Sequence, residues 1–86
     1  MHTILITGAG TGIGAATASK LSGLQNSRLI LVGRRISPLE KLLETLEKKE
    51  RHRIYSIDIS DPNSVKQLLS DPSTGLKEHP LVSVFA

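Results

Sequence analysis

Four apolar runs recur along the chain, and a stretch with helical periodicity separates each run from the next. Residues 3–7, 28–33 and 81–85 are nearly continuous in aliphatic and β-branched residues, whereas residues 53–57 alternate between polar and apolar. Continuous runs of this length are typical of strands buried on both faces of a parallel sheet, and alternation is typical of a half-buried strand. The pattern therefore predicts four strands.

The first and third intervening stretches predict short helices. An alanine-rich segment runs from Ile13 to Leu21 and presents small residues on one face, which favours close packing on a sheet. The third stretch begins at Asp61-Pro62, a helix cap followed by proline in the first turn, and Ser70-Asp71-Pro72 ends it.

The second stretch carries the clearest helical pattern. We expect Ser37 to cap this helix and Glu40 to complete a capping box, with Pro38 at the first helical position. Apolar residues then recur at helical spacing, and the basic run 48–53 is expected at the solvated end of the helix. The apolar stripe consists of Leu39, Leu42, Leu43 and Leu46.

Strands that alternate with helices indicate an α/β fold. Right-handed crossovers between successive strands produce a doubly wound parallel sheet of the Rossmann type. The sequence therefore predicts the N-terminal β-α-β-α-β-α-β portion of such a sheet. With 86 residues the chain has room for one domain, and we expect residues 1–86 to be the N-terminal part of a single domain of this type.

Composition narrows the function classes without selecting one. Hydrophobic content of 38% and charged content of 22% are ordinary for a folding sequence. The formal charge of +3 is too small and scattered to indicate nucleic acid, and no apolar run approaches the ~18 residues of a membrane span. With no cysteine and no histidine cluster, we expect no metal site and a cytoplasmic location.

The segment TGAGTGIG, residues 7–14, follows the first strand directly and contains four glycines. In a parallel sheet, ligands bind beyond the carboxyl ends of the strands, where this segment is predicted to lie. Glycines at Gly8, Gly12 and Gly14 would let a phosphate approach backbone amides and the positive end of the next helix. A merely tight strand-to-helix turn is the alternative interpretation.

The spacing of these glycines allows several registers. The segment lacks the Gly-Lys-Ser/Thr ending of a P-loop. The dinucleotide fingerprint GxGxxG fails from Gly8, because Ile13 takes its last glycine position, but from Gly10 it gives an allowed variant that ends at Ala15. Glycine spacing alone leaves the register open.

Read as TGxxxGIG, the segment resembles the cofactor loop of the short-chain dehydrogenase/reductase family. The resemblance implies a nicotinamide dinucleotide as cofactor and hydride transfer between it and a small-molecule carbonyl or alcohol substrate. It also implies cofactor contacts for Gly8, Thr11, Gly12, Ile13 and Gly14. Thr11 departs from the basic residue that some NADP-binding members carry there. The parent protein is implied to be a homo-oligomer.

Two further positions extend the resemblance. NAD-binding members carry an acidic residue at the end of the second strand, whereas this chain has Gly33 followed by Arg34. A guanidinium can hold a 2′-phosphate by bidentate hydrogen bonds, so NADP is implied over NAD, with Arg35 as a solvated charge. Asp58 and Ile59 resemble the adenine-binding element after the third strand. Asp58 also has an alternative role as a turn former.

The catalytic serine and Tyr-x-x-x-Lys pair of the family have no counterpart in this sequence. Tyr55 is the only tyrosine, and Ile59 stands where the lysine would be. We therefore expect no catalytic residue here and no activity from these 86 residues alone. The alternatives to an enzyme segment are a non-catalytic dinucleotide-binding or sensing protein and an interaction fragment without a ligand.

Overall fold

A computed structural model describes residues 1–85, so the last residue of the predicted domain, Ala86, lies outside the described residues. Strands and helices alternate from the first element to the last. Two short turns of 3-10 helix, Lys49–Arg51 and Pro72–Thr74, precede β3 and β4. The elements are β1 His2–Thr7, α1 Gly12–Leu21, β2 Ser27–Gly33, α2 Ile36–Thr45, β3 Arg53–Ser56, α3 Pro62–Ser70 and β4 Leu81–Phe85.

The four strands form one parallel sheet in the order β3-β2-β1-β4. Successive strands step outward from β1 to β3, and the chain then crosses back to place β4 on the other side of β1. The direction of winding therefore reverses between β1 and β4, which makes the carboxyl end of β1 the topological switch point of the sheet. The predicted doubly wound α/β fold is confirmed.

Each face of the sheet packs against its own helices. Alternate strand residues point to opposite faces, so Ile6 and Leu29 join Ala18 of α1 and Leu39 of α2 in one core. On the other face Ile30 and Val32 pack against Leu68 of α3, with Tyr55 at the margin. Burial on both faces explains why β1 and β2 read as continuous apolar runs.

The start of α2 differs from the prediction. The helix begins at Ile36, and its N-cap is Arg35, whose side chain makes no capping hydrogen bond. The capping box predicted from Ser37 was wrong, because Ser37 and Pro38 both lie inside the first turn. Proline is tolerated there since its missing N–H has no acceptor in that turn.

The basic run 48–53 is not the end of α2. The helix stops at Thr45, and Lys48 adopts a left-handed conformation with φ 53° before the 3-10 turn. Lys49 pairs with Glu44 at 2.7 Å across this bend. Leu46, the C-cap of α2, is 6% exposed and packs in the hydrophobic core. The chain changes direction after this residue.

Two buried polar side chains were also missed by the sequence analysis. His52, expected at a solvated helix end, is 3% exposed; its Nδ1 accepts the Leu29 N–H at 3.0 Å. Its Nε2 lies 2.9 Å from the Glu47 carbonyl oxygen, which accepts the ring proton. Arg28 is 5% exposed at the start of β2. Both side chains satisfy backbone groups near the amino ends of the strands.

β4 is the least covered strand of the sheet. It pairs with β1 in parallel, and all five of its residues are exposed. Leu81, Val82, Val84 and Phe85 are among the exposed large hydrophobic side chains. Its place beside β1 therefore rests on strand pairing, with little cover from α3.

Candidate functional site

A pocket of about 280 Å³ opens at the carboxyl edge of the sheet. Its first wall is the loop after β1, with Gly8, Gly10 and Thr11, and its second wall is the end of β2, with Gly33 and Arg34. These segments meet because the carboxyl ends of neighbouring parallel strands lie at one edge, next to the switch point.

The loop after β1 turns sharply at Gly8. This residue has φ +63°, a conformation that glycine adopts readily because glycine has no Cβ. Ala9 then donates its N–H to the Val32 carbonyl oxygen at 3.1 Å, and Thr11 donates its N–H to the Gly8 oxygen at 3.1 Å. The loop is thus folded back onto β2 and onto itself before α1 begins.

The two glycines at the start of α1 serve different purposes. A Cβ on Gly12 would meet nothing within 4 Å, so this position faces open space. A Cβ on Gly14 would overlap the Gly8 carbonyl oxygen and would lie 3.0 Å from the Ala9 Cα. Gly14 therefore permits close approach of α1 to the loop, and Gly12 leaves access to the end of the helix.

The amino end of α1 presents backbone donors towards the loop. Thr11 makes no side-chain cap, because its Oγ1 donates to the Gly8 carbonyl oxygen at 2.8 Å. The amides of Gly12, Ile13 and Gly14 have no acceptor within the helix, and its first turn carries no acidic residue. Uncapped amides at a positive helix end form a suitable environment for an anion.

The end of β2 has room for only a small residue. A Cβ on Gly33 would come within 3.3 Å of the Leu39 Cδ2, so a longer side chain there would press on α2. Arg34 follows, with its side chain 81% exposed, and Arg35 also lines the pocket. Two guanidinium groups therefore stand at the mouth of the pocket.

Asp58 stands opposite these arginines, after β3. Its Oδ1 accepts hydrogen bonds from the Ser60 N–H at 2.9 Å and from the Ser60 hydroxyl at 2.6 Å. Its Oδ2 lies 3.9 Å from the Arg34 Nη2. The Ser60 hydroxyl, the Ser60 N–H and the Arg34 charge all lower the pKa of this carboxyl. Asp58 is thus an anionic turn residue within reach of Arg34.

The structure brings together only some of the residues that the sequence analysis singled out. Gly8, Thr11, Arg34 and Ile59 line the pocket. Asp58 lies beside the pocket, and the 85% exposed side chain of Ile13 projects at the start of α1 next to Gly12 and Gly14. Their contacts with a cofactor stay a prediction. Pro38 and Ile57 also line the pocket. Pro38 had been interpreted only as part of a helix start, and Ile57 as part of the adenine-binding element without a cofactor contact of its own.

We also searched the described residues for metal-binding clusters and for membrane-spanning helices. Within residues 1–85, no group of three histidine, cysteine, aspartate or glutamate side chains is placed to hold a metal ion. None of the helices in the same range combines the length and apolar content needed to cross a bilayer.

Comparison with known proteins shows the family to which the chain belongs. The family model described as short chain dehydrogenase matches residues 2–78. The chain belongs to the short-chain dehydrogenase family. The resemblance inferred from the TGxxxGIG loop is therefore confirmed. Members of this family are oxidoreductases that use a nicotinamide cofactor.

The relatives are much longer than this chain. The NADP-dependent 3-hydroxy acid dehydrogenase of Schizosaccharomyces pombe is 40% identical over 65 residues, which are 73% of this chain and 25% of that protein. An uncharacterized oxidoreductase of Listeria monocytogenes is 36% identical over 77% of this chain and 27% of its own length. The chain spans about a quarter of the length of these short-chain dehydrogenase relatives.

Solved structures of the family share the same architecture. The citronellol catabolism dehydrogenase of Pseudomonas aeruginosa is 33% identical, with a TM-score of 0.73 over 91% of this chain and 31% of that one. An NAD⁺-bound xylitol dehydrogenase is 26% identical, with a TM-score of 0.73 over 90% of this chain and 28% of that one. Because a structure with bound NAD⁺ shares this fold, the fold alone does not decide between NAD and NADP.

Proposed function

We propose that this chain is the NADP(H)-binding N-terminal part of a short-chain dehydrogenase that interconverts a carbonyl and an alcohol. The proposal rests on the charge at the end of β2. Among the described residues, those that line the pocket include two arginines and no acidic residue. A ribose 2′-phosphate is favoured by such a lining, whereas a ribose with two free hydroxyls lacks its usual carboxylate acceptor.

The residues of the chain fit the cofactor in two places. Gly12 leaves open the space in front of the α1 amides, where a pyrophosphate would be held by backbone N–H groups. Arg34 would hold the 2′-phosphate, and leaving Asp58 for this phosphate costs little, since their contact at 3.9 Å is exposed. When bound, the nicotinamide supplies hydride chemistry.

The described residues would bind and orient the cofactor for the reaction. The apolar side chains of Ile57, Ile59 and Val32 line the pocket floor and favour a flat heterocycle such as adenine. Substrate recognition and proton transfer are assigned by this proposal to the rest of a longer protein. A cytoplasmic location and homo-oligomeric assembly are proposed with it, supported by composition and by the family resemblance.

Calorimetric titration of the purified protein with NADP⁺ and NAD⁺ tests the cofactor choice. We expect NADP⁺ to bind at least about tenfold more tightly, the effect of one charge-assisted phosphate contact. Arg34→Ala should abolish most of that preference and leave NAD⁺ affinity nearly unchanged. Lys41→Ala, which removes an exposed charge from α2 outside the pocket, is the matched control.

Equal affinities for the two cofactors, or a preference that survives Arg34→Ala, would contradict the assignment of Arg34. A carbonyl reduction assay on the full-length protein separates the enzyme from the sensing alternative. Tight NADPH binding without turnover of any aldehyde or ketone would support a non-catalytic dinucleotide-binding protein instead.

A further inference from the structure

A second pocket of about 280 Å³ lies at the amino edge of the sheet, opposite the carboxyl-edge pocket to which the cofactor is assigned. It is lined by residues near the starts of β2 and β3 and by the loop before β4. Arg28, Arg51 and Arg53 contribute to this lining together with Gly75, Glu78 and His79. Three arginines therefore line a cavity that the cofactor proposal leaves unexplained.

Arg28 is the most unusual of these residues, because it is 95% buried without a carboxylate partner. Its Nε donates to the Thr3 hydroxyl at 2.9 Å, and its Nη2 donates to the Thr74 carbonyl oxygen. Both acceptors are neutral. Burial and the nearby charge of Arg53 lower the pKa of the Arg28 guanidinium. A buried charge whose partners are all neutral is costly for the fold, so a counter-ion would relieve that cost.

The other two arginines also use neutral acceptors. Arg51 donates to the Ser27 carbonyl oxygen at 3.3 Å, and Arg53 donates to the His52 carbonyl oxygen at 3.0 Å. Within residues 1–85, the salt bridges involve Arg34 and Lys49 and none of the three pocket arginines. The charges of the cluster are therefore still available to an anion.

A further donor of the same pocket lacks a partner. The Nδ1 of His79 is buried and forms no hydrogen bond with the described residues. Buried polar atoms in folded proteins are usually satisfied by protein, water or a ligand. His79 also lines the pocket, so the side chain that carries this unpaired nitrogen lies at the same cavity as Arg28.

The charge balance of the pocket favours an anion of low valence. Its lining contains three arginines and two carboxylates, those of Glu50 and Glu78, which gives a side-chain excess of one positive charge. Dinucleotides bind at the carboxyl ends of the strands in such sheets, and this pocket lies at the opposite edge. A single tetrahedral oxyanion fits within the volume and is opposite in sign to the excess charge.

We propose that this amino-edge pocket binds a small oxyanion of the phosphate or sulfate class through Arg28, Arg51 and Arg53. The guanidinium groups would donate to its oxygens, and the anion would neutralise the buried charge at the start of β2. The anion would also connect the start of β3 to the loop before β4, which carries Gly75 and His79. This site is independent of the cofactor proposal, because the two pockets lie at opposite edges of the sheet.

Titration of the ¹⁵N-labelled protein with inorganic phosphate, followed by NMR, tests the proposal. We expect saturable shifts of the Arg28 Nε–Hε signal and of the Gly75 amide. Arg53→Gln should weaken phosphate binding by roughly tenfold, the loss of one charge-assisted contact. Glu78→Gln should strengthen it several-fold by removing a competing carboxylate. Lys66→Gln, an equal charge change on the exposed side of α3, should leave the affinity unaltered.

Three results would overturn the proposal. The first is the absence of any saturable shift up to high millimolar phosphate. The second is a set of shifts confined to the amides of residues 12–14, which would place phosphate at the cofactor loop. The third is an unchanged affinity in Glu78→Gln, a variant that removes no buried group and so tests the pocket even if Arg53→Gln unfolds.

Discussion

Two alanine substitutions in the first turn of α1 should have opposite consequences, although they lie only two residues apart. Gly12→Ala places a methyl group in open space, whereas Gly14→Ala places one against the Gly8 carbonyl oxygen. We therefore expect Gly12→Ala to weaken cofactor binding in a protein that stays folded. We expect Gly14→Ala to damage the loop itself.

The magnitudes follow from the contacts. Alanine is favoured over glycine in helices by up to about 1 kcal/mol, so Gly12→Ala should leave stability unchanged or raise it slightly. The added methyl group would stand in front of the uncapped amides and should weaken NADP⁺ binding by about tenfold or more.

For Gly14→Ala, the new Cβ would lie 2.8 Å from the Gly8 carbonyl carbon and 3.0 Å from the Ala9 Cα. Both neighbours are backbone atoms that cannot rotate away, so α1 must shift. Overpacking of this kind costs about 1–3 kcal/mol. Because the new Cβ would overlap a backbone oxygen, we expect a cost at the upper end of this range, and subtracting about 1 kcal/mol of helix propensity leaves a net loss of about 2 kcal/mol.

Urea unfolding followed by circular dichroism measures the stabilities, and calorimetry with NADP⁺ measures the affinities. Ala16→Gly, farther along the same helix, is a control for helix propensity alone and should lower stability without altering the loop. The argument fails if Gly12→Ala binds NADP⁺ normally, or if Gly14→Ala unfolds at the same urea concentration as the unmodified protein.

Two further predictions concern stability. Because burial lowers the pKa of His52 below its ordinary 6.5, stability should be full above that pH and fall as the solution becomes more acidic. His52→Leu should remove this pH dependence and lower the free energy of unfolding by about 1–3 kcal/mol at pH 7.5, because the Leu29 N–H loses its acceptor. If urea unfolding shows the same loss of stability with falling pH in this variant, the prediction is refuted. Asp61→Ala should cost about 1 kcal/mol by removing the cap on the Asn63 N–H, whereas Asp61→Asn should retain most of the stability in the same assay.

Periodicity was sufficient to predict the order of the strands and helices, but not the bounds of α2. The runs around Ile6 and Leu31 are buried on both faces, and such strands leave a continuous apolar pattern. The first turn of α2 was placed wrongly because serine and proline are favoured at several positions of a first turn. Sequence pattern does not separate those positions, whereas the packing of Leu39 against the sheet does.

A residue of the candidate site could be predicted from the sequence where the local backbone conformation requires glycine. Gly8, with its positive φ, is such a position. Pro38 reaches the pocket only because α2 folds beside the loop, so no local pattern marks it as a site residue. Arg28 and His52 were missed for the same reason. A charged residue next to an apolar run reads as solvated until the groups that cover it are known.

The exposed position of β4 bears on how the domain opens. Residues lining the carboxyl-edge pocket extend along the chain from Gly8 to Ile59, so none belongs to β4. A strand whose residues are all partly exposed and that has one pairing partner is expected to be among the first elements to detach in local unfolding. Detachment of β4 would expose one side of β1 but would remove no wall of the pocket. The pocket beside β2 is thus expected to outlast β4, whereas the crevice between β1 and β4 at the switch point exists only while β4 is docked.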